Sequence, residues 1–433
     1  MRPLRKDYQS SRYGTRYHEL VAPTLKYIEE HYTLPEKLDA ETLAAKCGIS
    51  AQYLRKLFAG CYGVSLKDYV INLWSDHAVE LMIKGGFGVE TPSDMCGFSN
   101  AKYFSRFFKE RYGMRFGLWF EPEMVNPDSD LYRAHPDWIL HAKGRQSSLV
   151  RNQLTLDLSR KDVCDYITEA VSDVLNKANI EYVKWDMNRY MSEVGSSELP
   201  ADRQGEVKHR YMLGLYSVLE TLTQRFPNVL FESCASGGGR FDPGMLYYMP
   251  QTWTSDDSDA AERLRIQYGT SIVYPYSSMG AHVSAVPNHQ IGRITSFEMR
   301  CDVALPGQFG FELDLNKCTD HELEIAKKKV CEYRELQEVF HKGDCYRLKS
   351  PFETDLSAVE FVSEDKKTAV VCISNYKATA YSPDEFIKPQ GLCENATYRI
   401  GENSYDGKYL MNYGIVFRND RENKSEIIVL HAE

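Results

Sequence analysis

From Arg16 to Tyr112 apolar residues recur at intervals of three and four, the period of an amphipathic helix. In "PTLKYIEEHY" the stripe is Leu25, Ile28 and Tyr32. After Gly113 the pattern changes. Apolar runs now end in polar, chemically loaded residues, as in "FGLWFEPEM", "YVKWDMNRY", "VLFESCASGGGRFD" and "TWTSDDSD". Helical stretches such as "KDVCDYITEAVSDVLNKANI" and "KHRYMLGLYSVLETLTQRF" separate them, which predicts parallel βαβ units. Function-bearing residues at the ends of such strands are the habit of a (β/α)8 barrel. Beyond about residue 340 the segments "SAVEFVS", "TAVVCIS", "ATYRIG" and "SEIIVLHA" alternate in short strands, predicting a small antiparallel β-sandwich. The expected chain is multi-domain: a tail over 1–15, an all-α domain over 16–113, an α/β barrel over 114–340 and the sandwich over 341–433.

Within the helical region a single device occurs twice. "DAETLAAKCGISAQYLRKLFAGCYG" gives a helix, a break at Gly48 and a second helix capped by Ser50, whose side-chain oxygen accepts from the free amides of the first turn. "SDMCGFSNAKYFSRFFKERYG" repeats it with Gly97 at the turn and Ser99 as cap. Each unit closes on an aromatic-Gly pair, Tyr62-Gly63 and Tyr112-Gly113. This tandem helix-turn-helix resembles the DNA-binding domain of the AraC/XylS regulators over nearly all of residues 16–113. Leu54, Leu57 and Phe58 pack inward, leaving Gln52, Arg55 and Lys56 outward. In the second unit Phe104 and Phe108 pack, leaving Ala101, Lys102 and Arg106 outward. The outward residues are expected to enter successive major grooves. Charges on one such unit would read as solvated helix surface; two units in register favour DNA. Pro92 falls early in the supporting helix of the second unit, so that helix is expected to be short or displaced.

After residue 114, eight motifs in order, among them "FGLWFEPEMV", "DLYRAHPDW", "VKWDMNR", "ESCASGGGRFD", "WTSDDSDAAERLRIQYGTS" and "MGAHVSAVPNHQ", resemble glycoside hydrolase family 36, the bacterial α-galactosidases. The resemblance runs from about Arg115 to the C-terminus. It implies retaining hydrolysis of α-galactosides without a cofactor.

The residues also support that chemistry by themselves. Retaining hydrolysis needs two carboxylates roughly 5 Å apart, one attacking and one donating a proton. Asp186 in "KWDMN" ends an apolar strand beside Lys184, and a neighbouring cation favours the ionised form that a nucleophile needs. Asp256 in "WTSDDSD" follows Trp253, and an apolar, like-charged setting favours the protonated form that an acid needs. The resemblance assigns the same roles to both. Asp257 and Asp259 are close rivals for the acid, which the sequence does not separate. The resemblance further implies sugar contacts from Trp119, Arg151, Lys184, Asn188, Cys234, Gly237 and Trp253. A lone Trp is more often core, but repetition at strand ends favours the sugar. Glu121 and Glu123 are read as structural or orienting. "SGGGR" lacks the Lys-Ser/Thr of a phosphate loop.

At the junction, "FKERYGMRFGLWFEPEM" turns from recognition helix to barrel strand without a linker. In the resembled family two earlier strands precede "FGLWFEPEMV", the second ending in an Asp-Asp-Gly-Trp motif that holds galactose hydroxyls. No such tetrapeptide occurs in this chain. The expected barrel therefore lacks its first strands and has two open edges. Gly113 can end the helix and Met114 can begin the extended segment.

The 43% hydrophobic and 26% charged content is that of an ordinary globular protein. No apolar run is long enough for a membrane span, nor does "MRPLRKDYQS" lead into an apolar core, so a cytoplasmic location and no membrane partner are expected. The net charge of −9 divides unevenly: residues 1–114 carry 16 Lys+Arg against 13 Asp+Glu, leaving 36 against 48 in the remainder. A mildly basic N-terminal part and a clearly acidic remainder suggest different partners, although charge runs are usually solvated faces. Eleven cysteines without a C-x-x-C spacing suggest neither a disulfide frame nor a zinc site, and no metal-ligand cluster is visible. Expected partners are an α-galactoside and DNA, with a homo-oligomer left open. Three functions compete: an α-galactosidase carrying a DNA-binding domain, a regulator sensing a sugar in a non-catalytic barrel, and a fusion without evolved function.

Overall fold

The structure is a computed structural model that describes residues 15–32, 34, 37–85, 96, 98, 101–113, 115–379 and 381–433. Pro92, Gly97, Ser99 and Met114, on which sequence expectations fall, lie outside the described residues, as do 1–14 of the tail. Two compact units emerge, one of residues up to Leu118 with Thr168–Tyr182, the other of Trp119–Ile167 with Val183–Glu433. The barrel segment and the C-terminal sheet thus fall mainly in one unit.

The first unit contains helices α1 (Thr15–His31), α2 (Ala40–Cys47), α3 (Ala51–Tyr62), α4 (Leu66–Gly85) and α5 (Ala101–Tyr112). Asp39 caps α2 through Thr42 N, and Ser50 caps α3 through Tyr53 N, as its position predicts. Gly48, Gly63 and Gly113 all adopt left-handed φ (+65°, +73°, +66°), where a Cβ would be strained, and so end their helices. Leu54, Leu57 and Phe58 are buried with Val21, Ile28 and Leu43 in one core. Phe104 is buried as well.

The central sheet holds six strands in chain order: β1 (Gly117–Phe120), β2 (Tyr182–Trp185), β3 (Leu230–Ser233), β4 (Gln251–Trp253), β5 (Met279–Ser284) and β6 (Gln308–Glu312). The β3–β4, β4–β5 and β5–β6 pairings are parallel. Between β2 and β3 the chain continues the ladder past the strand ends, with Cys234 N donating to Trp185 O and Met187 N to Cys234 O. Among the described residues β1 and β6 are free edges, so this is an open segment of a barrel, as the junction predicts.

The C-terminal region forms an antiparallel six-stranded sheet from Asp344–Lys349, Leu356–Val362, Thr368–Asn375, Thr397–Ile400, Asn403–Asp406 and Ser425–Ala432. A two-stranded ribbon, Glu385–Ile387 with Ile415–Phe417, accompanies it. One face buries Ala369, Val371, Ile373 and Leu430 with the ribbon's Ile387 and Phe417. The other buries Val359, Phe361 and Val370 against Leu336 and Phe340 of the helix Asp320–Lys342. Where the sequence predicts alternation, Leu356–Val362 and Thr368–Asn375 are buried nearly throughout, because both faces of the sheet are covered.

Candidate active site

Trp119, Lys184 and Trp253 lie on β1, β2 and β4; Asp186, Asn188, Cys234 and Asp256 follow the ends of β2, β3 and β4. Those seven, together with Arg151, border one cavity of about 750 Å³. The parallel strands bring the side chains together because each delivers its last residues to the same end of the sheet.

Asp186 is nearly buried, and every described partner is a donor. Trp119 Nε1 and Asn188 Nδ2 reach Oδ2 at 3.0 and 2.7 Å, and Met187 N reaches Oδ1 at 2.8 Å. An ionised carboxylate, which only accepts, suits that set. The Cys234 thiol is pushed well up, first by burial and then by the charge and hydrogen bond of Asp186, so it stays protonated beside the carboxylate. Lys184 does not serve Asp186 directly. Its Nζ ion-pairs with Glu232 on the adjacent strand at 3.2 Å and lies 4.6 Å from the Trp253 ring centre. The cation that sequence adjacency gives to Asp186 is thus engaged across the ladder, and the carboxylate is held by neutral donors instead.

Asp256 is exposed at the cavity and accepts from Trp253 Nε1 at 3.2 Å. The apolar setting expected for it is absent, because it sits three residues beyond the strand end. Its rivals have other engagements. Asp259 caps the helix Ala260–Thr270 through Glu262 N and ion-pairs with Arg293. Asp257 Oδ1 accepts from Asp259 N at 3.0 Å. Gly237, with φ +83°, lies buried beneath this loop, where an added Cβ would stand 2.6 Å from Ser255 Cα and 2.8 Å from Asp256 N. Only glycine allows so close an approach. Its place in the structure is support for the Asp256 loop.

Arg151 and Asn152 both have positive φ (+53°, +60°) between the paired Val150 and Gln153, the form of a two-residue hairpin turn. Arg189 clamps that hairpin, its guanidinium donating to Ser148 O and Gln153 O. Glu121 accepts from Gln153 Nε2 at 2.8 Å and from Asn188 N at 3.2 Å, tying the hairpin to the Asp186 segment. Glu123 is fully buried and accepts from Trp185 Nε1, Tyr211 OH and both terminal nitrogens of Arg240. Both carboxylates are engaged in orienting contacts.

A family model described as Melibiase matches residues 101–343, more than half of the chain. The chain belongs to the melibiase family. A model of the glycosyl hydrolase family 36 C-terminal domain matches residues 356–430, and a helix-turn-helix domain model matches 43–121, overlapping the junction. The chain is 57% identical over 304 residues to "Alpha-galactosidase AgaA" of Geobacillus stearothermophilus, covering 70% of this chain and 42% of that protein. To "Alpha-galactosidase Mel36A" of Lactobacillus acidophilus it is 47% identical, covering 70% and 41%. The crystal structure of AgaA superposes with a TM-score of 0.75 at 52% identity, covering 77% of this chain and 47% of that one. An AgaA variant solved in complex with raffinose gives the same score and coverage. The chain therefore spans about two fifths of the length of those two curated relatives.

The cavity also has residues that sequence reasoning did not single out. Ser258, His282, Ser284, His289 and Glu312 border it. Two of them were accessible to period-two reasoning: in "MGAHVS" His282 and Ser284 alternate onto one face of β5. On the helix-turn-helix side Gln52, Arg55 and Lys56 are exposed on α3, and Arg106 is exposed on α5, 3.9 Å from Glu110. The side chains of Ala101, Lys102 and Phe108 lie outside the described residues. Among the described residues no helix is long and apolar enough to cross a membrane, and no cluster of His, Cys, Asp and Glu could hold a metal ion.

Proposed function

We propose that the cavity binds the terminal galactosyl residue of an α-galactoside and cleaves it with retention, at low turnover. The observation that carries this reading is the pair Asp186 and Asp256 on one cavity, the first anchored by three donors and the second exposed and held by an indole. Asp186 attacks the anomeric carbon while Asp256 protonates the departing oxygen; Asp256 then takes a proton from the water that releases the sugar. Trp119 and Trp253 offer flat apolar faces, and Lys184, Arg151 and Asn188 offer donors to hydroxyls. The related α-galactosidases, one of them seen with raffinose, support this substrate class. The N-terminal helices, with Gln52, Arg55 and Lys56 outward, are proposed to bind DNA, as the helix-turn-helix match supports.

Low turnover follows from the edge at β1. The sequence holds no Asp-Asp-Gly-Trp strand to bind the sugar hydroxyls beyond it. One lost hydrogen bond to a charged group costs about 1.5–3 kcal/mol, so several to one sugar remove roughly 4–8 kcal/mol, or about 10³–10⁶ in catalytic efficiency. The test is hydrolysis of an aryl α-galactoside by the purified chain beside Asp186→Ala. A small rate that vanishes in the variant is expected. A rate within about a hundredfold of ordinary enzymes would contradict the missing wall, and no difference between the two proteins would contradict the assignment of Asp186.

A further inference from the structure

A chain of contacts runs along the cavity lining from Asp256 through Trp253 and His282 to Glu312. Trp253 donates its indole N–H to Asp256 at 3.2 Å, and the His282 imidazole stacks on Trp253 with centroids 4.7 Å apart and planes 26° from parallel. His282 Nδ1 in turn faces Glu312 Oε2 at 3.6 Å, beyond hydrogen-bond distance. Two glycines make room for this stack. A Cβ at Gly310 would stand 2.9 Å from His282 Cδ2, and one at Gly280 would stand 3.1 Å from Trp253 Cε3. Lys184 and Arg263 also lie over the indole, at 4.6 and 4.7 Å from its centre.

Asp256 is exposed, and this indole is its one described side-chain hydrogen-bond partner. The orientation of the carboxylate therefore depends on the orientation of Trp253. Indole has two side-chain torsions, and the second is broad unless neighbours fix it. His282 is the aromatic group packed on it, and the Glu312 carboxylate faces the imidazole. We infer that His282, steadied by Glu312, is a positioning residue that holds the Trp253 N–H on the acid/base carboxylate. The inference rests on the reading of Asp256 as the acid/base. Its first step, from His282 to Trp253, can be tested without turnover.

The experiment is a two-dimensional proton–nitrogen spectrum of the indole N–H groups of the full chain, which has five Trp. Trp253→Phe assigns the signal. In His282→Ala the Trp253 signal should shift or broaden while the others hold. His282→Phe, which restores a stacking ring, should return it most of the way. A Trp253 signal in His282→Ala at its original position and width overturns the inference. If that variant moves every indole signal through loss of structure, Gly310→Ala decides, because it keeps the imidazole but displaces it. Movement confined to Trp253 then supports the brace, and an unmoved Trp253 signal overturns it. Asp256→Ala assayed for turnover tests the acid/base reading separately, so failure of one is distinguishable from failure of the other.

Discussion

Replacing Glu123 by Ala should be among the most destabilising single changes in this chain, and the structure gives the size. The carboxylate is fully buried and takes four hydrogen bonds, of 2.9 and 2.8 Å from Arg240, 2.8 Å from the Trp185 indole and 2.5 Å from the Tyr211 hydroxyl. Its removal leaves the Arg240 guanidinium without its counter-charge in a buried place, which typically costs about 3–5 kcal/mol. Two further donors lose their acceptor at about 1–3 kcal/mol each, though water entering the gap relieves some of this. A net loss of about 4–6 kcal/mol is expected, a large share of the roughly 5–15 kcal/mol that stabilises a typical protein. Urea unfolding followed by Trp fluorescence measures it, with Arg240→Ala and the double variant completing the cycle. The double variant should be less destabilised than the two singles together, because removing both charges leaves no orphan. A Glu123→Ala loss below about 1 kcal/mol, or strict additivity with Arg240→Ala, would refute the account of Glu123 as an orienting anchor.

Two more predictions concern residues that do not line the cavity. Glu360 is fully buried on the strand Leu356–Val362, and burial pushes its carboxyl up to about 8 from 4.5, so the folded chain holds this proton over a range where the unfolded chain has lost it. Its stabilising share is full below about 4.5 and is lost as pH rises towards 8; Glu360→Gln should flatten the fall in unfolding midpoint across that window, and an unchanged pH slope would sink the assignment. DNA binding through the helix-turn-helix domain should be modest and should weaken steeply with salt, because phosphate contacts release counterions and that release is worth less at high salt. A gel-shift titration without retardation at low salt would remove the DNA reading.

Much of this fold was legible because period and punctuation agree. Gly48, Gly63 and Gly113 end helices that the 3.6-residue pattern predicts, and the apolar runs around Trp119, Lys184 and Trp253 become strands that carry their chemistry at their ends. What remained hidden depends on pairing between strands. That Lys184 would answer Glu232 rather than Asp186 follows from the register of two strands 48 residues apart in the sequence, which no local pattern reveals. Asp259 separates from Asp256 and Asp257 only once the cap of the following helix and the Arg293 ion pair are seen. Glu123 and Arg240 meet across 117 positions of the sequence.

Covalent trapping shows whether Asp186 is the nucleophile of a retaining galactoside site. The purified chain is incubated with an activated 2-deoxy-2-fluoro-α-galactoside, whose first bond-forming step greatly outpaces release. Intact-mass and peptide analysis then locate the adduct, and the method does not require fast turnover. One fluorogalactosyl group is expected, bound as an ester to Asp186 and absent from Asp186→Ala. An adduct on Asp256 or Glu121, or none at saturating reagent while the chain is folded, would contradict it.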